Sequence, residues 1–216
     1  MAITAIPILP VQDISANGFQ AIRMIEELTQ TFKLGTPVEI TAADGGIKAW
    51  DGTTGTAFTF PSATIGGIIG ICYEAASNLT STGLGAPTPF SPVTGLGAFQ
   101  GTFGSVPNQS AAKNIAHGAP LNDGRVGVVL ASPSITFSAT FGNAGNPATP
   151  AATDVGKQYG LTIDTGSNFW YVDKSKATVG TNTVLTVVAL DLRDVPGSGT
   201  RVLFQLDPRF TQMLNV

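Results

Sequence analysis

The residues best suited to chemistry form the turn Asp164-Thr165-Gly166-Ser167, within the stretch LTIDTGSNFWYVD. In aspartic proteases a turn of this composition presents the active carboxylate, and catalysis needs two carboxylates that share one proton. The Asp-Gly pairs elsewhere in the chain, Asp44-Gly45, Asp51-Gly52 and Asp123-Gly124, lack the intervening Thr or Ser. A two-lobed enzyme in one chain is therefore excluded. A homodimeric aspartic protease using Asp164 stays open as a distant alternative.

The same stretch has a simpler structural interpretation. Residues 161–163 and 169–172 are apolar enough to be two strands, and residues 164–168 have the composition of a turn. Asp starts turns by accepting hydrogen bonds from nearby N–H groups, and Gly supplies a positive φ. We therefore predict a β-hairpin without a catalytic role, and expect the protein not to be an enzyme.

Other reactive residues are few. The chain has one cysteine, Cys72, and one histidine, His117. One thiol forms no intrachain disulfide, and one thiol with one imidazole does not make a metal site of the usual nitrogen and sulfur kind. No G-x-S-x-G elbow accompanies His117 as the base of a serine triad. We expect no metal and no cofactor.

Composition argues for burial against partners. Charged residues make up 12% of the chain, the net charge is −3 and the mean hydropathy is +0.23. Without a cluster of Lys or Arg there is no reason to expect nucleic-acid binding. The longest apolar run, residues 65–73, is far shorter than the ~20 residues that span a bilayer. We expect no signal peptide and no membrane contact, and a low-charge surface that is partly covered by other proteins.

Short apolar runs between turn residues predict an all-β fold of short-strand barrel or sandwich domains. The runs PVEIT and IKAW flank an Asp-Gly-Gly turn and predict a hairpin. Residues 19–32 fit either a helix or a strand. The predicted organisation is an extended, proline-punctuated arm at 1–18, a β domain at 19–132 with a long Gly/Pro/Ser-rich loop at 78–118, and a second β domain or a continuation of the same β unit at 133–216.

Contacts with a capsid or with other copies are predicted at apolar residues of the arm, of the long loop and of the Phe-Trp-Tyr run. These residues are Ile6, Pro7, Ile8, Val11, Phe90, Phe99, Phe103 and Trp170. The three phenylalanines argue against a simple solvated linker.

Several motifs resemble those of tailed-bacteriophage capsid decoration (cement) or minor virion structural proteins. The first half contains QTFKLGTPVEI, GGIKAWDG and GGIIGICYEAASN, and the second half contains DVGKQYGLTIDTGSNFWYVD. A pattern ending in Asp191, Arg193 and Asp194 and continuing at Arg201, Val202 and Phe204 is similar to their last hairpin.

The resemblance implies a non-enzymatic protein that binds the outer surface of a capsid and stabilises the shell. Its partners would be the major capsid protein and other copies of itself, in a homotrimer rather than a dimer. It would be made in the host cytoplasm and end on the virion exterior. Alternatives are a tail-tube, tail-tip or head-fibre component, and a carbohydrate-binding module with Trp50, Trp170 and Tyr171 as its platform.

Overall fold

The described part of the computed structural model comprises residues 2–13, 21–25, 30–40, 46–52, 67–76, 125–177, 183–191 and 200–211. Regular structure there is almost entirely β, which confirms the predicted all-β class. The strands are β1 (Leu9–Asp13), β2 (Ala21–Ile25), β3 (Pro37–Ile40), β4 (Ile47–Ala49), β5 (Gly70–Cys72), β6 (Arg125–Leu130), β7 (Ile135–Asn143), β8 (Asn146–Pro147), β9 (Gln158–Ile163), β10 (Trp170–Asp173), β11 (Leu185–Leu190) and β12 (Arg201–Leu206). Short 3-10 turns cover Ala152–Asp154 and Pro208–Phe210.

Strands from the C-terminal half close into a barrel in the order β7-β10-β9-β11-β12, and pairing of β12 with β7 completes the ring. The pair β7–β10 is parallel, and the other neighbours in the ring are antiparallel. Strand β7 has nine residues, so it also pairs with β1 near its start and with β8 at its end.

A second, antiparallel sheet has the order β2-β6-β5-β3-β4. The predicted hairpin is confirmed, because Val38 lies opposite Ala49 and Ile40 lies opposite Ile47. Its turn falls largely in residues 41–45, outside the described ranges. The ambiguous stretch 19–32 contains a strand at Ala21–Ile25, which pairs with β6 along its whole length.

The sheet and the barrel share a hydrophobic core. Paired residues Ile71 and Val129 of the sheet pack in the same cluster as Phe137 and Phe204 of the barrel. Their neighbours on the other face of the sheet, among them Val128, form a second cluster. Successive residues of a strand face opposite sides, so strands this short contribute to both clusters. Each fully buried large side chain stabilises the fold by about 1.5–3 kcal/mol.

Strand β7 reads ITFSATF, yet its polar residues do not form a solvent-exposed face. Thr136, Ser138 and Thr140 are buried along with the apolar residues between them. The Ser138 hydroxyl donates to Asp191 at 2.7 Å, and Thr140 Oγ1 accepts from the backbone N–H of Ile6 at 3.2 Å. The Ser138 and Thr140 hydroxyls therefore have hydrogen-bond partners inside the protein, as buried polar groups need.

Residues 2–13, here called the N-terminal segment, pack on the barrel of their own chain. Residues 2–8 have no regular secondary structure, and Leu9–Asp13 form β1 along β7. Ile3, Ala5 and Ile8 are buried. Within the predicted arm at 1–18, the described residues therefore pack on the barrel of their own chain.

Candidate functional site

The Asp-Thr-Gly-Ser turn joins β9 to β10, which confirms the predicted hairpin. Trp170 lies opposite Ile163, and the backbone N–H of Asn168 donates to the Asp164 carbonyl at 2.7 Å. We expected Gly166 to supply the positive φ in this turn. The residue with a positive φ is instead Asn168, at 59°. Asn tolerates this left-handed conformation because its short polar side chain bonds locally.

The Asp164 side chain is 9% exposed and accepts four hydrogen bonds from its own chain. The N–H groups of Gly166 and Ser167 donate at 3.0 and 3.1 Å, and the Ser167 hydroxyl donates as well. The fourth donor is the N–H of Ala5, at 3.4 Å, in the N-terminal segment. Asp164 therefore closes the turn and also binds the segment that covers it.

These donors determine the ionisation of Asp164. The Ser167 hydroxyl, with the N–H groups of Gly166, Ala5 and Ser167, holds the pKa of Asp164 below its ordinary value against the opposing effect of burial. A protease dyad needs a carboxylate that faces a second carboxylate and a water. Asp164 faces N–H and O–H donors instead, and substrate access would require the N-terminal segment to leave. The geometry gives it a structural role.

Asp154 is a second buried carboxylate occupied by donors of its own chain. It accepts from the N–H of Ala151 at 2.8 Å and from the Tyr159 hydroxyl at 2.7 Å, and it forms an ion pair with Lys174 at 3.1 Å. Burial alone would raise the pKa of Asp154, but these three partners outweigh it and lower the pKa. Burial and the hydrogen bond to Asp154 raise the pKa of Tyr159 well above its ordinary value.

Asp173, at the end of β10, joins three parts of the barrel. One oxygen accepts from the N–H of Ala144 at 2.9 Å and from the N–H and hydroxyl of Ser175 at 3.0 and 2.7 Å. The other accepts from the hydroxyls of Thr162 and Tyr171 at 2.8 and 3.4 Å. Burial alone would raise the pKa of Asp173, but these hydrogen bonds lower it.

The sequence alone did not single out Asp154 and Asp173. Asp154 is 20 residues from Lys174, and Asp173 is 29 residues from Ala144. Ala151, Tyr159 and Ser175 are local donors, but Lys174 and Ala144 reach the carboxylates only through the tertiary fold.

A cleft of about 480 Å³ lies between the β3–β4 and β9–β10 hairpins. Trp50 and Trp170 both line it and pack on each other, with ring centroids 5.3 Å apart and planes tilted by 35°. The other lining residues are Gln30, Thr31, Phe32, Lys33, Thr36, Ala49, Asp51, Ile163 and Asn168. The two indoles are only 3% and 6% exposed, so they serve mainly to pack one hairpin on the other.

This geometry bears on two expectations for the aromatic residues. Trp170, predicted as a contact for partners, is buried against Trp50 of its own chain. Tyr171 packs with Ile3 and Ala5, and its hydroxyl accepts from the N–H of Gly145 at 2.9 Å. The predicted sugar platform of Trp50, Trp170 and Tyr171 is therefore wrong, because the three rings do not form one exposed surface.

The remaining predicted contact residues have different positions. Ile8 is fully buried in the core of its own chain, so in this arrangement it is unavailable to a partner. Ile6 is 39% exposed, whereas Pro7 and Val11 are half-buried. Phe90, Phe99 and Phe103, with the loop 78–118 and His117, lie outside the described residues.

No protein-family model, curated protein or solved structure matches this chain. Across the described ranges, no helix has both the length and the apolar character needed to cross a membrane.

Proposed function

We propose that this protein is a non-enzymatic virion structural protein that binds the outer surface of a phage capsid and stabilises the shell. The observation that carries the proposal is the internal use of its carboxylates. Asp154, Asp164 and Asp173 are all buried, and each accepts several hydrogen bonds from its own chain. Carboxylates used in this way stabilise the fold. A protein whose carboxylates serve its own fold is suited to act by binding other proteins through its surface.

The residues that carry the resemblance to decoration proteins serve the framework. Gly35 has a φ of +80°, and a Cβ there would lie 2.5 Å from the backbone nitrogen of Ile8. Trp50 packs on Trp170, and Asp173 joins the barrel strands. Residues of this kind preserve a fold that presents a binding surface, which supports a shared architecture without a shared catalytic site.

The surface has apolar residues to offer a partner. Large hydrophobic side chains are exposed at Ile6, Ile22, Tyr73, Val155, Ile163 and Val188. Single exposed apolar residues are common, but here they occur in a chain with a charged content of only 12%, which favours a surface covered by partners. The proposed partners are the major capsid protein and other copies of this chain, in a homotrimer, on the exterior of the virion.

Co-sedimentation with shells that lack this protein tests the proposal. We expect binding in a fixed ratio to the major capsid protein and a higher melting temperature of the decorated shell. Binding without a fixed ratio, or no binding, would refute a decoration role. Immunogold labelling of intact particles separates the head from the tail, and a label confined to the tail would favour the tail-component alternative.

Matched surface variants locate the contact. Tyr73→Asp and Val155→Asp each place a charge at an exposed apolar position, on the five-stranded sheet side and on the barrel side respectively. Both should melt close to the parent protein, since surface substitutions usually change stability by less than ~0.5 kcal/mol. Loss of shell binding in only one of them would identify the face that contacts the capsid.

A further inference from the structure

We infer that the N-terminal segment, residues 2–13, is exchanged between copies of this chain, so that the segment of one copy occupies the barrel groove of the next. The inference rests on the self-association included in the proposed function and names the element that produces it. In the structure the segment occupies the groove of its own barrel, and exchange would reproduce the same contacts between two chains.

The groove is shaped closely around the segment. A Cβ at Gly142 would lie 2.5 Å from Cδ1 of Ile3 and 2.9 Å from the Tyr171 ring. A Cβ at Gly35 would lie 2.5 Å from the nitrogen of Ile8. Real side chains do not approach this closely, so glycine at both positions is what allows the segment to pack there. Close fit and burial of Ile3, Ala5 and Ile8 make the segment complementary to the barrel and to the residues before β3 of the five-stranded sheet.

Polar contacts fix the segment along its length. The N–H groups of Ile3, Ala5 and Ile6 donate to the Gly145 carbonyl, the Asp164 carboxylate and Thr140 Oγ1. The Pro7 carbonyl accepts from Arg201 at 3.4 Å. Strand β1 then pairs with residues 135–138 of β7.

These contacts do not depend on which copy supplies the segment. The hydrogen bonds of Ala5, Ile6 and Pro7 join residues 159, 134 and 194 positions apart in the chain. Strand β1 is a terminal strand on the barrel side, and the next strand, β2, is a terminal strand of the other sheet. A terminal element whose described contacts join residues distant in sequence can be exchanged and keep those contacts, which is a low-cost route to oligomers.

A pair of single-cysteine chains tests the exchange. Gln12 lies opposite Thr136 in the β1–β7 ladder. Residues opposite each other in such a ladder have Cα atoms ~4.5–5.5 Å apart, within the range of a disulfide. The native Cys72 is buried and 1% exposed, so it should not compete. Two differently tagged full-length chains, one with Gln12→Cys and one with Thr136→Cys, would be co-expressed and oxidised.

If the segment is exchanged, the two single-cysteine chains should form a covalent heterodimer on a non-reducing gel. A chain that carries both substitutions should form disulfide-linked oligomers. A matched control uses Thr186→Cys and Gln205→Cys in separate chains, because this pair lies within the β11–β12 hairpin and should give no heterodimer. If the doubly substituted chain forms only an intrachain disulfide, exchange is refuted. The mass of the parent protein in solution then separates self-association from segment exchange. An oligomeric mass would keep self-association without exchange, and a monomeric mass would refute both.

Discussion

Replacing Asp164 by Asn tests the structural role of the Asp-Thr-Gly-Ser turn. The carboxylate accepts from Gly166, from two groups of Ser167 and from Ala5. An amide has one acceptor oxygen and one donor group. Whichever way the amide is turned, at least one N–H donor of the protein meets another donor.

The cost follows from these contacts. Losing a hydrogen bond to a charged group costs about 1.5–3 kcal/mol, and the remaining bonds weaken because charged acceptors bind roughly twice as strongly as neutral ones. Allowing for the position near the surface, we expect Asp164→Asn to lower the free energy of unfolding by ~2–4 kcal/mol at neutral pH. For a chain of this size that corresponds to a fall in melting temperature of ~5–15 °C.

The effect should depend on pH. The folded protein holds the pKa of Asp164 below its ordinary value, through the Ser167 hydroxyl above all. The carboxylate therefore contributes stability that is fully present above the unfolded pKa of about 3.9 and is lost as the pH falls through the folded pKa. The difference between parent and variant should be largest near neutral pH and shrink under acid conditions.

Urea unfolding from neutral pH down to the lowest pH at which the parent is folded measures this difference. Asp51→Asn is the control, because it makes the same substitution at an exposed aspartate, whereas Asp164 is buried. A midpoint for Asp164→Asn equal to that of the control, or a deficit that does not change with pH, would contradict the reasoning. Proteolytic activity in the parent that disappears in a normally stable Asp164→Asn protein would instead support the protease alternative.

Two packing predictions follow. Gly142→Ala should lower the unfolding free energy by ~1–3 kcal/mol, because the new Cβ overlaps Ile3 and the Tyr171 ring. Gly127→Ala is its control in urea unfolding, since a Cβ there meets nothing closer than 3.5 Å, and equal losses in both variants would contradict the clash. Trp170→Ala should cost ~3–5 kcal/mol and shift the emission of the remaining tryptophan to longer wavelength, because the chain has only two tryptophans and they pack together; an unchanged emission maximum would contradict that contact.

Several strands were predictable because their evidence is local. The runs RVGVVL and RVLFQL become β6 and β12 with the expected bounds. The two hairpins were predictable for the same reason, since each joins neighbouring runs through a short turn. The contacts of the candidate site were harder to predict from the sequence. The turn around Asp164 was recognised, but its contact with Ala5 joins residues 159 positions apart.

What the sequence determined by itself was the β class and the absence of a second catalytic turn, because period-two patterns, turn residues and motif counts are local properties. The tertiary structure decided that β7 pairs with both β10 and β12 to close a barrel, and that Ile8 and Trp170 face their own chain. The physical reason is that an alternating strand pattern is the same whichever strand it pairs with. Which strands pair depends on how apolar faces that are distant in sequence pack together, and this packing is defined only in the folded core.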